Sequence, residues 1–168
     1  MDVQKQADPR LEKVADLIKD IKFAMLTTSE LDGTLRSRPL STMQLDAEGN
    51  LWFFTSITSP KIDEIEQNSQ VNLSYASPDK QDYVSISGTA ETIRDKTKMQ
   101  ALWTPWIKPW FPDGLDDPNL SLLKVRIDEA EYWDAPGNVV TRVYGLAKAL
   151  ATGKTDALGD NEKVTARH

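Results

Sequence analysis

The chain has no cysteine, and its single histidine, His168, is the last of its 168 residues. Without cysteine there is no disulfide, no thiol nucleophile and no thiolate metal site. A histidine at a chain end is poorly placed for catalysis or ligation. Ser-His-Asp hydrolysis, histidine-bound zinc and histidine-bound haem are therefore disfavoured together, and no metal is expected. Excess positive charge is also missing, since 20 Lys and Arg stand against 26 Asp and Glu for a net charge of −6. Nucleic-acid binding rests largely on a basic footprint, so no such partner is expected. No apolar run reaches the roughly 18 residues of a membrane-crossing helix, and the polar N-terminus lacks the layout of a signal peptide. A cytoplasmic protein without a membrane partner is the simplest expectation.

What is present is 39% hydrophobic residues, enough for one domain with a sizeable core. Pro9 and the spacing of Leu11, Val14, Leu17, Ile18 and Ile21 predict an amphipathic helix to about Lys22. Strands follow over Phe23 to Thr28, Thr34 to Leu45 and Leu51 to Thr55, separated by Asp32-Gly33 and Glu48-Gly49-Asn50 turns. Such short links suit an antiparallel meander. A short helix begins at Pro60 with Ser59 as N-cap. Val71 to Tyr75 and Tyr83 to Ala90 read as strands, the second with a bulge or bend at Gly88. A helix capped by Asp95 runs to Trp103, and a loop dense in tryptophan and proline fills Thr104 to Asn119. Leu122 to Trp133 is a long sixth strand, and Val139 to Leu150 reads as a helix. The pattern is α+β, an antiparallel six-stranded barrel with peripheral helices. It places the domain at 1–153, with 154–168 as a flexible tail.

Three features carry candidate chemistry. Arg36 and Arg38 alternate on a strand and so share a face. They are either a solvated basic stripe protecting an edge or a pair of rigid donor forks for a phosphate or a polar ring rim. Ser59-Pro60-Lys61 starts a helix, where unpaired N–H groups, dipole charge and the lysine converge. Just before it, an aromatic strand ends at Phe54 and the hydroxyls of Thr55 and Ser56 follow. Each part is ordinary alone; together they suit a phosphate beside a flat apolar surface. The loop with Trp103, Trp106, Trp110 and Phe111 among Pro105, Pro109 and Pro112 is either a rigid flap burying apolar area or a lid over a ligand. Asp113, Asp116 and Asp117 lack calcium-loop spacing and read as a solvated turn.

Arg38-Pro39-Leu40, Leu51 to Ser56, Ser59-Pro60-Lys61 with Ile62 and Ile65, and Asn68 and Val71 resemble the flavin-binding half of the pyridoxamine 5′-phosphate oxidase-like split barrels. Val84 to Gly88, Ala101-Leu102-Trp103, Trp110-Phe111-Pro112 and Ala130 to Asp134 are similar to the bacterial general stress protein group of that superfamily. The resemblance implies FMN, with FAD as an alternative, bound at the interface of a homodimer. It implies contacts from Arg38 to the phosphate or ring edge, from Lys61 to the phosphate, and from Thr55 and Ser56 to either. Arg36, Ser37, Pro39, Phe54 and Ser59 are implied neighbours, and Tyr83 and Trp133 approach the flavin of the partner subunit. The superfamily's true oxidases carry an Arg-x-His near the C-terminus; Asn138 to Arg142 has no histidine, so that oxidase activity is not implied. No catalytic acid or base stands out; Tyr83, Tyr132 and Asp134 are the available groups. Two classes remain: a flavin-dependent oxidoreductase of unknown substrate, or a noncatalytic flavin-binding or storage protein. A different split-barrel cofactor, such as a deazaflavin or haem, is the weaker third.

Overall fold

A computed structural model describes residues 1–134 and 160–166. Its strands are β1 (Asp2–Val3), β2 (Phe23–Ser29), β3 (Leu35–Leu45), β4 (Asn50–Ser56), β5 (Gln70–Ser77), β6 (Asp82–Ile93), β7 (Leu120–Asp134) and β8 (Asp160–Thr165). Helices α1 (Glu12–Ile18), α2 (Pro60–Gln67) and α3 (Lys96–Leu102) punctuate them. The sheet runs β3-β2-β5-β6-β7-β4, and β3 pairs with β4 to close a six-stranded antiparallel barrel. β1 adds in parallel to β3 and β8 antiparallel to β7.

Alternation decides which side chains enter the barrel. On β2, Ala24, Leu26 and Thr28 point in while Phe23 and Met25 point out. The interior joins Leu26, Leu45, Phe53, Leu73, Tyr75, Ile86, Leu123 and Val125 with Val14 and Ile18 of α1. Each such fully buried side chain contributes about 1.5–3 kcal/mol. β4 does not alternate: Asn50 through Thr55 are all buried. Its second face carries Trp52 and Phe54 into a separate core with Met99, Leu102, Ile107, Phe111, Leu120 and Leu122. The helix α3 and the tryptophan-rich loop thus cover one outer face of the barrel.

Local signals explain the joints. Gly88 sits at a β-bulge where Ser87 pairs with Glu129 but Gly88 pairs with Ile127. A Cβ there would lie 2.4 Å from the Arg126 carbonyl oxygen, so only glycine fits. Asp95 caps α3 by accepting from the Lys98 N–H at 3.0 Å.

Some expectations are corrected. The first helix stops at Ile18 after a 3₁₀ turn over Pro9–Leu11. The loop from Thr104 to Asn119 holds two 3₁₀ turns, Pro105–Ile107 and Gly114–Asp116. Residues expected in a flexible tail include β8, whose Glu162 accepts from the Tyr132 hydroxyl at 2.6 Å and whose Val164 is buried. A short polar strand gives little signal by itself and forms here because β7 offers an open edge. The helix expected over Val139 to Leu150 lies outside the described residues.

Candidate functional site

Beside the tryptophan-rich loop, the outer wall of the barrel opens into a cleft of about 380 Å³. One wall is Pro39 of β3 with Phe23 of β2; the other is Trp106 and Trp110 of the loop. Phe54, Thr55 and Ser56, at the end of β4, lead to Ser59 and Lys61 at the start of α2. The tryptophan loop divides its aromatics between two tasks. Trp103 packs edge-to-face on Phe54 at 5.6 Å, and Ile107 and Phe111 are buried in the second core. Trp106 and Trp110 remain 46% and 60% exposed, and meet edge-to-face at 5.0 Å. Trp106 also meets Phe23 at 6.0 Å. The segment is therefore a flap on its core side, and on the other side Trp106 and Trp110 form an exposed aromatic wall of the cleft.

Lys61 dominates the polar end. It is only 9% exposed, and its Nζ donates to Ser59 Oγ at 2.7 Å. No carboxylate among the described residues lies within salt-bridge distance of it. Burial, helped by the nearby Arg38 charge, holds its ammonium below the usual lysine range, against a smaller opposing pull from Glu64. A buried cation without a counterion is costly unless a ligand supplies one. The serine expected to cap α2 makes no side-chain cap bond; its hydroxyl serves Lys61 instead.

Glu64 does not neutralise Lys61 because other groups hold it. Arg38 Nη2 donates to it at 2.8 Å, and the Thr28 hydroxyl donates to it while accepting from Arg38 Nη1. Burial pushes the Glu64 carboxyl up, but these bonds and the Arg38 charge outweigh it and leave the group below its ordinary range.

The sequence-predicted residues are thus only partly brought together. Pro39, Phe54, Thr55, Ser56, Ser59 and Lys61 line one cleft. Arg38 stands behind Lys61 on Glu64, Arg36 pairs with Glu30 at 2.5 Å, and Ser37 shares a 2.7 Å hydrogen bond with Thr27. Tyr83 and Trp133 are register partners, 43% and 40% exposed, on the barrel's outer face. That face is continuous: Pro39 pairs with Met25, Met25 with Ser74, Ser74 with Ser85, and Ser85 with Glu131. Of the available acid–base groups, Tyr132 is tied to Glu162 and Asp134 to Lys13. Sequence reasoning missed Phe23, Ser41 and Met43 as cleft residues. The pairing of Phe23 with Ser41 across the first hairpin was the signal that could have found them.

Among the described residues, no three His, Cys, Asp or Glu side chains form a metal-binding group, and no helix is long and apolar enough to cross a membrane. A closed six-stranded antiparallel barrel, with an aromatic cleft leading to a buried lysine, defines a split-barrel protein. Residues 9–157 match the family described as pyridoxamine 5′-phosphate oxidase like, and the chain belongs to that family. It is 27% identical over 164 residues to protein bli-3 of Neurospora crassa, covering 92% of this chain and 78% of that one. The structure of a candidate general stress protein 26 from Jannaschia sp. CCS1 superposes with a TM-score of 0.73 at 26% identity, covering 90% of this chain and 94% of the other. A general stress FMN/FAD binding protein from Xanthomonas citri does so with a TM-score of 0.66 at 30% identity, covering 76% and 90%. The chain's relatives thus include proteins described as general stress and as FMN/FAD binding proteins.

Proposed function

We propose that the protein binds FMN in the cleft and acts as a flavin-dependent oxidoreductase of the general stress type, as a homodimer in the cytoplasm. The observation that carries this is Lys61, a buried cation at the polar end of an aromatic cleft, without a carboxylate partner among the described residues. A phosphate there supplies the missing counter-charge, with the hydroxyls of Ser56 and Ser59 and the positive end of α2 beside it. Phe54, Pro39, Trp106 and Trp110 fit the apolar ring. Arg38 adds positive potential from behind Lys61, and Arg36 and Ser37 border the site on β3. When bound, FMN supplies hydride or electron transfer; the chain binds it, orients it and limits its exposure to water. In a two-fold dimer through the continuous outer face, Tyr83 and Trp133 of each protomer cover the partner's cleft.

The second reading is a noncatalytic flavin-binding protein. It is favoured by the engagement of Tyr132 and Asp134 in structural contacts, which removes two of the three acid–base groups the sequence offered. A visible spectrum of the purified protein, with mass identification of the released chromophore, tests both. FMN at about one per chain is the expected result, with bleaching of the bound flavin by a nicotinamide reductant for the oxidoreductase and none for the binder. A colourless protein that fails to take up added FMN overturns both.

A further inference from the structure

A second cavity, of about 700 Å³, adjoins the cleft and shares Ser41, Met43 and Trp106 with it. It lies between the later half of β3, helix α3 and the N-terminal segment, with Leu102 and Ala101 on its apolar side. Its lining also includes the cations Lys22 and Lys98. Lys98 is held in place: its Nζ donates to Gln44 Oε1 at 2.7 Å and lies 4.5 Å from the centre of the Trp52 ring. The Gln44 amide is oriented in turn by donating its Nε2 to Asp2, the one carboxylate in the wall. Neither lysine has a carboxylate within salt-bridge distance among the described residues. Two lysines and one carboxylate in the lining make a local excess of positive charge in a chain whose net charge is −6. The hydroxyl of Thr104, also in this wall, is buried without a hydrogen-bond partner, a state that native interiors rarely leave uncompensated.

We propose that this cavity binds a small organic anion, an apolar body bearing one carboxylate, with the carboxylate on Lys22 and Lys98 and the body against Leu102, Met43 and Trp106. Trp106 is then the partition between that ligand and the ring in the cleft. Its place beside a ring rests on the flavin reading above; the anion pocket itself does not. Cations set the charge sign, the oriented Lys98 sets the position, and the apolar wall excludes ligands that are charged throughout.

The test is calorimetric titration of the full-length protein with benzoate and with its neutral isostere benzamide, with and without FMN. Benzoate is expected to bind at one per chain, roughly tenfold or more tighter than benzamide. In Lys22→Gln/Lys98→Gln that preference is expected to vanish. Lys22→Gln alone, at an exposed side chain, is expected to lose part of it with an unchanged melting temperature. In the FMN-loaded protein, benzoate is expected to shift the flavin absorption band. Equal affinity for the two probes, no saturable binding, or an unaltered preference in the double variant overturns the proposal. Lysine-dependent benzoate binding by a protein that takes up no FMN upholds the anion pocket and removes the flavin reading instead.

Discussion

Lys61 shows how one side chain sets stability against binding. Its charge is depressed by burial, so between its folded and unfolded pKa values the folded state binds fewer protons than the unfolded state. The unfavourable contribution is full below the folded pKa and fades as pH rises toward the ordinary lysine range. Lys61→Met is therefore expected to raise the melting temperature of the FMN-free protein at neutral pH, with the gain over wild type shrinking in alkaline buffer. The same substitution is expected to weaken FMN binding tenfold or more, since charge-assisted bonds contribute about 1.5–3 kcal/mol; flavin fluorescence titration reads this. Arg38→Ala is expected to cost less affinity, because its guanidinium is already committed to Glu64. An equal loss in both variants shows that Arg38 leaves Glu64 for the ligand. Glu64 works in the opposite pH direction. Its folded-state pKa is depressed, so its stabilisation is present above the unfolded value and lost as pH falls through the folded one. Glu64→Gln is expected to flatten the acid side of a melting-temperature profile.

At the scale of elements, the tryptophan-rich loop and the β6–β7 bulge separate stability from function. Phe111 is buried in the second core, whereas Trp110 is 60% exposed along the cleft. Phe111→Ala is expected to destabilise by about 3–5 kcal/mol. Trp110→Ala is expected to stay within about 0.5 kcal/mol of wild type while weakening FMN binding. Denaturant melts paired with flavin titrations distinguish the two, and a large stability loss in Trp110→Ala assigns that residue to the core instead. Gly88→Ala sets a Cβ against the Arg126 carbonyl, a backbone atom that cannot swing aside, and is expected to cost at least about 1–3 kcal/mol. Strands β2 to β7 were legible from apolar, aromatic or alternating runs and the turn residues between them. β8 was not: apart from Val164, its described side chains are polar or small, and its pairing depends on β7.

Over the whole molecule, one barrel face stays open along Phe23, Met25, Tyr83 and Trp133, each at least 40% exposed. Under the dimer proposed above, these side chains belong to the face that meets the partner. Met25→Asp is expected to turn a dimer into a monomer by light scattering on a sizing column, and to weaken FMN binding with it. Wild-type protein that runs as a monomer removes the partner roles of Tyr83 and Trp133. The acidic balance of the chain leaves the cations on β3, α2 and α3 as local exceptions, and two of them border cavities that meet at Trp106.

Six barrel strands and three helices could be read from the chain alone, because residue periodicity and turn chemistry act over a few neighbours. The grouping of Thr55, Ser56, Ser59 and Lys61 at the start of α2 was legible too, since Thr55 to Lys61 is a local segment whose groups converge through backbone geometry. Long-range packing, by contrast, fixed that Lys61 is buried with no carboxylate among the described residues in salt-bridge distance, and that Arg38 pairs with Glu64. Those depend on Thr28, Arg38 and Glu64 meeting across three elements. The division of the tryptophan loop into a core side and a cleft side was likewise decided by closure. β4 had to bury both faces once the barrel formed, and the loop, with α3, supplied the cover for the outer one. Which side of a local pattern becomes core is a property of what packs on it, and no short-range signal carries that information.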